Sequence, residues 1–195
     1  MIDAHAKAYL LGDLRDIRKA VVAKLDGLSE YDVRRPLTPT GTNLLGLIKH
    51  MALWEARYLG EVFDRPFPEP LPHWDDATAP GNDMWAGEDE TRAEIFGRCR
   101  RVAEHSEATI NALDLAAPGH VPWWRTPEVK LFNIIIHILS EDQRHAGHMD
   151  ILREQLDGKV GYAAPEDPYN DATFWADRRA TIERVAKAAA AKESQ

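Results

Sequence analysis

The sequence LFNIIIHILSEDQRHAGHMDILREQL, residues 131–156, decides the fold. At about 100° per residue it predicts a helix with one apolar stripe that faces a core. The aliphatic members of this stripe are Leu131, Ile134, Ile138, Leu152 and Leu156. Glu141, His145 and His148 occupy the same stripe, where leucines are expected, and His137 lies at its edge. A carboxylate among aliphatic side chains needs a compensating partner, and a divalent metal suits one carboxylate with neighbouring imidazoles.

Composition limits the class of protein. The chain has 195 residues, of which 44% are hydrophobic and 29% charged, as in an ordinary globular protein. We therefore expect one domain over residues 1–195, with a tail from about 159 to 195 appended to it. The net charge of −8 argues against nucleic acid as the main partner. The lone Cys99, with no secretory signal and no membrane-spanning run, favours a soluble cytoplasmic protein.

Apolar residues recur at three- and four-residue intervals in several further segments. The predicted helices run from Asp3 to about Leu28, from Thr42 to about Asp64, from Glu88 to Leu115, from Pro127 through Leu156, and from Asp171 to Ala191. No strand is predicted. The expected fold is all-α, a four-helix bundle with long crossover loops and an extra C-terminal helix.

Two connections are rich in aromatic residues and proline. Residues 65–87 contain five prolines and two tryptophans, a length that is usually functional or disordered inside a compact domain. Two interpretations stay open: an ordered loop packed over an opening, or a surface crossover whose tryptophans cap the core. The second connection, residues 118–127, contains Trp123 and Trp124.

The spacing of Glu141 and His145 predicts a metal site. Residues four apart lie one turn above each other on a helix, so a carboxylate oxygen and an imidazole nitrogen can converge on one ion. A third ligand has to come from another helix, and His50 is the best donor because it lies beside the apolar stripe of the second helix. Three protein ligands leave one coordination position open, which is typical of a catalytic site.

Each of these residues has an alternative role. His50 can be a hydrogen-bonded core residue, and Glu141 can pair with Arg144 or another arginine. His148 is expected to contact the ligand residues without binding the metal itself, to face a partner, or to replace His145 as a ligand. His137 is expected at the edge of the core or beside the ligands, and Glu55 is expected to orient the His50 ring. The remaining histidines are interpreted as surface or loop residues: His5, His73, His105 and His120.

The segments TNLLGLIKHMALWEARYL, residues 42–59, and HILSEDQRHAGHMDILREQLDG, residues 137–158, resemble the DinB-like superfamily. This superfamily includes the mycothiol-dependent maleylpyruvate isomerases, and the match is closest to an actinobacterial branch with an RHxGHxDxLRE-type motif. The resemblance implies a four-helix bundle whose metal is held by His50, Glu141 and His145. Many members carry His in place of Glu141, whereas the isomerase branch carries Glu. Many also carry Gln where this chain has His148.

The resemblance also implies a chemistry. Characterised relatives bind zinc or another divalent metal, and we expect zinc here, with nickel or iron as alternatives. They use the metal to activate a low-molecular-weight thiol such as mycothiol, which is transferred to a small electrophile. The residues expected to line the pocket are Trp54, Tyr58, Trp123 and Trp124. Relatives are frequently homodimers, so a second copy of the chain is an expected partner.

Three other functions stay open beside metal-dependent thiol S-transfer. One is metal-dependent hydrolysis, in which activity does not depend on a thiol. Another is a non-enzymatic stress-response module that binds a metal or a small molecule. The last is an inert helical bundle whose His and Glu residues form a buried polar network.

Overall fold

The computed structural model describes residues 2–72, 80–159 and 172–193. In this part of the chain the α-helices are α1 (Ile2–Ala23), α2 (Glu30–Arg34), α3 (Leu44–Tyr58), α4 (Arg92–Ala112), α5 (Leu131–Asp157) and α6 (Ala172–Glu193). Two short 3₁₀ turns, Glu61–Phe63 and Asn82–Met84, follow α3. The prediction of an all-α fold is confirmed.

Capping side chains set the helix boundaries. The Asn43 side chain, rather than that of Thr42, accepts the Gly46 N–H at 2.7 Å and caps α3. Thr91 and Glu94 form a reciprocal capping box, so α4 starts at Arg92 and not at Glu88. These capping contacts define the first residue of each helix more closely than the apolar periodicity does.

The prediction that no strand is present was wrong. Strand β1 (Pro118–His120) pairs antiparallel with β2 (Glu128–Lys130), and the aromatic segment 121–127 joins them. Three-residue strands are too short to show an alternation of polar and apolar residues. Because β2 occupies residues 128–130, α5 starts at Leu131 and not at Pro127.

The four long helices α1, α3, α4 and α5 pack against one another. Helix α1 contacts α4 and α5, and α3 contacts the same two helices. The largest fully buried side chains include Leu14 of α1, Leu47 of α3, Ile110 of α4 and Met149 of α5. This packing sets α3 beside α5, and the predicted ligands lie on these two helices.

The chain divides into two compact units, Met1–Gly161 and Tyr162–Gln195. The first unit holds all the elements from α1 to α5, and in the second the structure describes α6, most of whose residues are exposed. The predicted loop residues His73 and Trp74 lie outside the described residues. Among the helices that are described, none has the length and apolarity needed to cross a bilayer.

Candidate metal and thiol site

His50, Glu141 and His145 line one cavity of about 300 Å³ between α3 and α5. The rings of His50 and His145 meet edge to face, with their centroids 5.0 Å apart. Glu141 lies one turn before His145, and its Oε2 atom is 3.9 Å from the His145 Nε2 atom. The structure therefore brings the three predicted ligands together from two helices.

The three side chains do not form a closed coordination sphere. Within the described residues, no group of three or more His, Cys, Asp or Glu side chains is arranged to hold a metal ion as it stands. Two ligands at about 2.0–2.2 Å from a tetrahedral ion lie about 3.3–3.6 Å apart, so a small rotation of the Glu141 and His145 side chains from their 3.9 Å separation lets the pair share one ion. Glu141 also pairs with Arg144 at 3.1 Å, an exposed contact of the weak surface type.

The His145 ring is suited to bind a cation. Burial, followed by the nearby His50 and His148, lowers the pKa of His145 to about 4, so the ring is neutral at pH 7. Its Nδ1 atom is buried and has no hydrogen-bond partner among the described residues. The neutral ring has a lone pair on one nitrogen, and the Nε2 atom is the one that faces Glu141. Two imidazoles and one carboxylate are also a donor set that catalytic zinc sites use.

Asp83 orients the His50 ring. The His50 Nδ1 atom is 2.7 Å from the Asp83 Oδ2 atom, which also accepts the Trp54 Nε1–H at 3.1 Å. The hydrogen bond from His50 lowers the pKa of the Asp83 carboxyl. A ring that donates Nδ1–H to a carboxylate keeps its Nε2 lone pair for a metal, as metal-bound histidines usually do.

The segment of residues 81–90 packs on α3 and places Asp83. The Asn43 amide donates to the Met84 carbonyl at 3.1 Å, and the Lys49 ammonium donates to the Trp85 carbonyl at 3.0 Å. A Cβ atom at Gly46 would lie 2.5 Å from the Met84 carbonyl carbon, so only glycine allows this approach. The described end of the crossover, residues 80–87, therefore packs on α3 beside His50.

Aromatic side chains form one wall of the cavity, which includes the predicted Trp54, Tyr58 and Trp123 but not the predicted Trp124. The Tyr58 hydroxyl oxygen accepts the indole N–H groups of both Trp123 and Trp124, each at 3.1 Å. Trp54 lies 5.7 Å from the Trp123 ring, and His137 lies 4.8 Å from the Tyr58 ring. Because both indoles only donate, the Tyr58 O–H is left to act as a donor itself.

Comparison with known proteins identifies the family of this chain. The family model described as MST, Mycothiol-S-transferase, matches residues 9–158. The chain belongs to the mycothiol-S-transferase family. The resemblance to the DinB-like superfamily is thereby confirmed, and membership supports an S-transferase type of function with a small thiol-related substrate. A comparison with curated proteins gives no match.

The role that the sequence predicted for Glu55 is corrected in this mycothiol-S-transferase family member. The Glu55 carboxylate is buried and forms a bidentate ion pair with Arg18, with Nη2–Oε1 at 2.5 Å and Nε–Oε2 at 3.1 Å. Arg18 also contacts Glu107 at 3.2 Å. The carboxylate that contacts His50 is therefore that of Asp83. Asp83 lies in the long connection after α3, where no helical periodicity in the sequence predicts the contact.

Asp142 is a further residue that sequence analysis missed in this family member. Its side chain is only 4% exposed, and no hydrogen bond or ion pair joins its carboxyl to another described residue. Burial raises the pKa of Asp142 well above its usual range, and Glu55 raises it further. The buried face of α5 continues from Ile138 to Asp142, four residues later, whereas the predicted stripe continued from Ile138 to Glu141, three residues later. This difference of one residue left Asp142 out of the prediction.

The other histidines of this family member fall into two groups. His148 is exposed, with its ring 5.5 Å from that of His145, and His5 and His120 are exposed as predicted. His105 differs from the prediction, because its ring packs edge to face on Phe67 and its Nδ1 atom is buried. None of these three exposed residues lines the cavity of His50.

Proposed function

We propose that this protein is a metal-dependent thiol S-transferase that moves a low-molecular-weight thiol, such as mycothiol, onto a small electrophile. The observation that carries the proposal is the meeting of the His50 and His145 rings beside Glu141 in one cavity. Membership of the mycothiol-S-transferase family supports the same chemistry.

His50, Glu141 and His145 are the proposed ligands of a divalent metal. A bound divalent cation supplies positive charge that favours the thiolate form of a thiol. Asp83 holds the His50 ring so that its Nε2 atom faces away from the hydrogen bond. Placement on the helices α3 and α5 gives the ligand side chains rigid supports, which a precise site needs.

The aromatic wall is proposed to receive the electrophile. Trp54 and Trp123 offer flat apolar faces close to the ligands, and they exclude water from the reacting atoms. The Tyr58 O–H donates a hydrogen bond to an oxygen of the electrophile on which negative charge develops as the thiolate attacks. The two indole N–H groups fix the Tyr58 oxygen for this role.

Metal content and thiol-dependent turnover test the proposal together. Purified protein is expected to contain about one divalent ion per chain by elemental analysis, and metal-depleted protein is expected to gain thermal stability when zinc is added. His50→Ala is expected to abolish both effects. His148→Ala, a histidine substitution at an exposed position of α5, serves as the control and is expected to keep the metal.

Turnover is measured with mycothiol and with 1-chloro-2,4-dinitrobenzene, from which chloride leaves as the carbon–sulfur bond forms. Activity that requires both the thiol and the metal supports the proposal. Metal binding without turnover for any thiol contradicts the S-transferase part. Turnover of ester or amide substrates without a thiol supports metal-dependent hydrolysis instead.

A further inference from the structure

A second and larger cavity, of about 500 Å³, opens between α1 and α4. Its rim contains the exposed residues Lys19, Asp26 and Arg100, and its inner end reaches Met51 and Asp142. We call this cavity the α1–α4 cleft. Its volume lies within the range of small-molecule sites. The residues of the proposed metal site, His50, Glu141 and His145, do not line it.

Polar contacts join α4 to α1 at one end of the cleft and to the turn after α1 at the other end. At one end Arg15 and Arg18 of α1 form ion pairs with Glu107 of α4. At the other end the Arg92 guanidinium donates to the Leu28 carbonyl at 3.2 Å. Between these contacts the facing residues include alanines on two helices, Ala52 and Ala103. The cleft is therefore preformed.

The interior of the cleft is mainly apolar, with one polar side chain that lacks a partner. Val22, Ile48 and Phe96 supply apolar walls. Asp142 is more than nine-tenths buried at the inner end, and its carboxyl forms no hydrogen bond or ion pair with another described residue. A buried carboxyl group without a protein partner indicates that a ligand or water completes its hydrogen bonding.

The charges at the rim favour an anionic ligand. Arg100 is exposed and has no ion-pair partner among the described residues, whereas Arg98 and Arg101 beside it pair with Glu69. Lys19 contacts Asp16 only at 3.8 Å, on the exposed surface. Lys19 and the acidic Asp26 are the other charged residues of the rim, so Arg100 is the rim cation that is available to an anion.

We propose that the α1–α4 cleft is a second binding site, which takes a small molecule with an apolar body and one carboxylate or sulfonate group. The anionic group lies at Arg100, the apolar body contacts Val22 and Phe96, and the far end approaches Asp142. Met51 and Asp142 line both this cleft and the cavity of His50. Met51 and Asp142 therefore lie between a ligand in the cleft and the cavity of the proposed metal site.

Two fluorescent probes that differ by one charge test the proposal. The anionic probe is 8-anilinonaphthalene-1-sulfonate, and its uncharged counterpart is N-phenyl-1-naphthylamine. Both are expected to bind metal-depleted protein in the absence of any thiol, so the result does not depend on the proposed S-transferase function. Arg100→Gln is expected to weaken the sulfonate about threefold and to leave the uncharged probe unchanged. Arg101→Gln removes the charge of the residue next to Arg100 and is the control.

The position of the probe is tested with Cys99, the only cysteine of the sequence, which lines the cleft. With the sulfonate at about ten times its Kd, alkylation of Cys99 by N-ethylmaleimide is expected to slow about tenfold, because only the free protein reacts. Ala103→Trp fills the cleft and is expected to weaken both probes about tenfold or more. Ala108→Trp, at an exposed position of α4, is the control, and circular dichroism checks that both variants fold.

Each outcome decides the question. Protection of Cys99, together with weaker binding in Ala103→Trp, supports a site in the cleft. Probe binding without protection of Cys99, or no binding at all, overturns the proposal. If Arg100→Gln weakens the binding of both probes equally, the proposal that an anionic group of the ligand lies at Arg100 is overturned.

Discussion

Gly46→Ala is expected to disturb the site from a distance, because it acts through the 81–90 segment. A Cβ atom at Gly46 would lie 2.5 Å from the Met84 carbonyl carbon and 2.8 Å from the Asn43 Oδ1 atom. The Met84 carbonyl oxygen lies closer still, and an unstrained contact between carbon atoms is about 3.5 Å, so the Met84 carbonyl has to move by more than about 1 Å. Asp83 is joined to Met84 directly, so its 2.7 Å hydrogen bond to His50 is expected to break.

The size of the effect follows from the contacts that are lost. The Asn43–Met84 hydrogen bond contributes about 1 kcal/mol, and the His50–Asp83 contact, which is partly exposed, about 1–2 kcal/mol. Alanine recovers about 1 kcal/mol through its higher helix propensity. The net loss is therefore about 1–2 kcal/mol, which corresponds to a fall in Tm of roughly 2–8 °C. Zinc affinity is expected to fall about 10–100-fold, since Asp83 no longer orients His50.

Differential scanning calorimetry and zinc titration measure the two effects. Gly12→Ala is the matched control, because Gly12 lies inside α1 and a Cβ atom there meets nothing within 4 Å. The control is expected to gain about 0.5–1 kcal/mol of stability and to keep its zinc affinity. If Gly46→Ala behaves like Gly12→Ala in both measurements, the coupling between the 81–90 segment and His50 is refuted.

Three further predictions concern other parts of the structure. Glu55→Gln leaves the half-buried Arg18 with one carboxylate partner, Glu107, and is expected to lower the free energy of unfolding in urea by about 2–3 kcal/mol, whereas Glu69→Gln, in an exposed ion pair, changes it little. Tyr58→Phe removes the acceptor of two indole N–H groups, and it is expected to lower kcat for thiol transfer while zinc content stays constant. Burial raises the pKa of Cys99 to about 12, so its alkylation rate is expected to rise about tenfold per pH unit from 7 to 10 without a plateau, whereas a plateau near pH 9 contradicts its burial.

The sequence was sufficient to predict the helices because their signal is local. Apolar residues at three- and four-residue intervals mark α1, α3, α4 and α5, and turn-forming residues separate them. The β1–β2 hairpin could not be predicted in this way, since each strand has only three residues. Its pairing depends on contacts between residues about ten positions apart, which no local pattern contains.

The candidate site was predictable in part for the same reason. Glu141 and His145 share one helix, so their spacing alone predicts that they approach each other. The contact between His50 and Asp83 joins α3 to a distant loop, and the only sequence signal for it was a glycine inside a helix. Gly46 marks the point where another backbone approaches α3, which is one meaning of an isolated glycine in a helical pattern.

The two halves of the proposed metal site are supported in different ways. Glu141 and His145 are held by α5, whose buried residues Ile138 and Met149 fix the helix on both sides of them. His50 depends in addition on the 81–90 segment, because Asp83 sets the orientation of its ring. Disturbance of that segment is therefore expected to weaken one ligand and to spare the other two. Gly46→Ala should retain weak zinc binding that Glu141→Ala and His145→Ala lose, and equal loss in all three variants would show that the site responds as one unit.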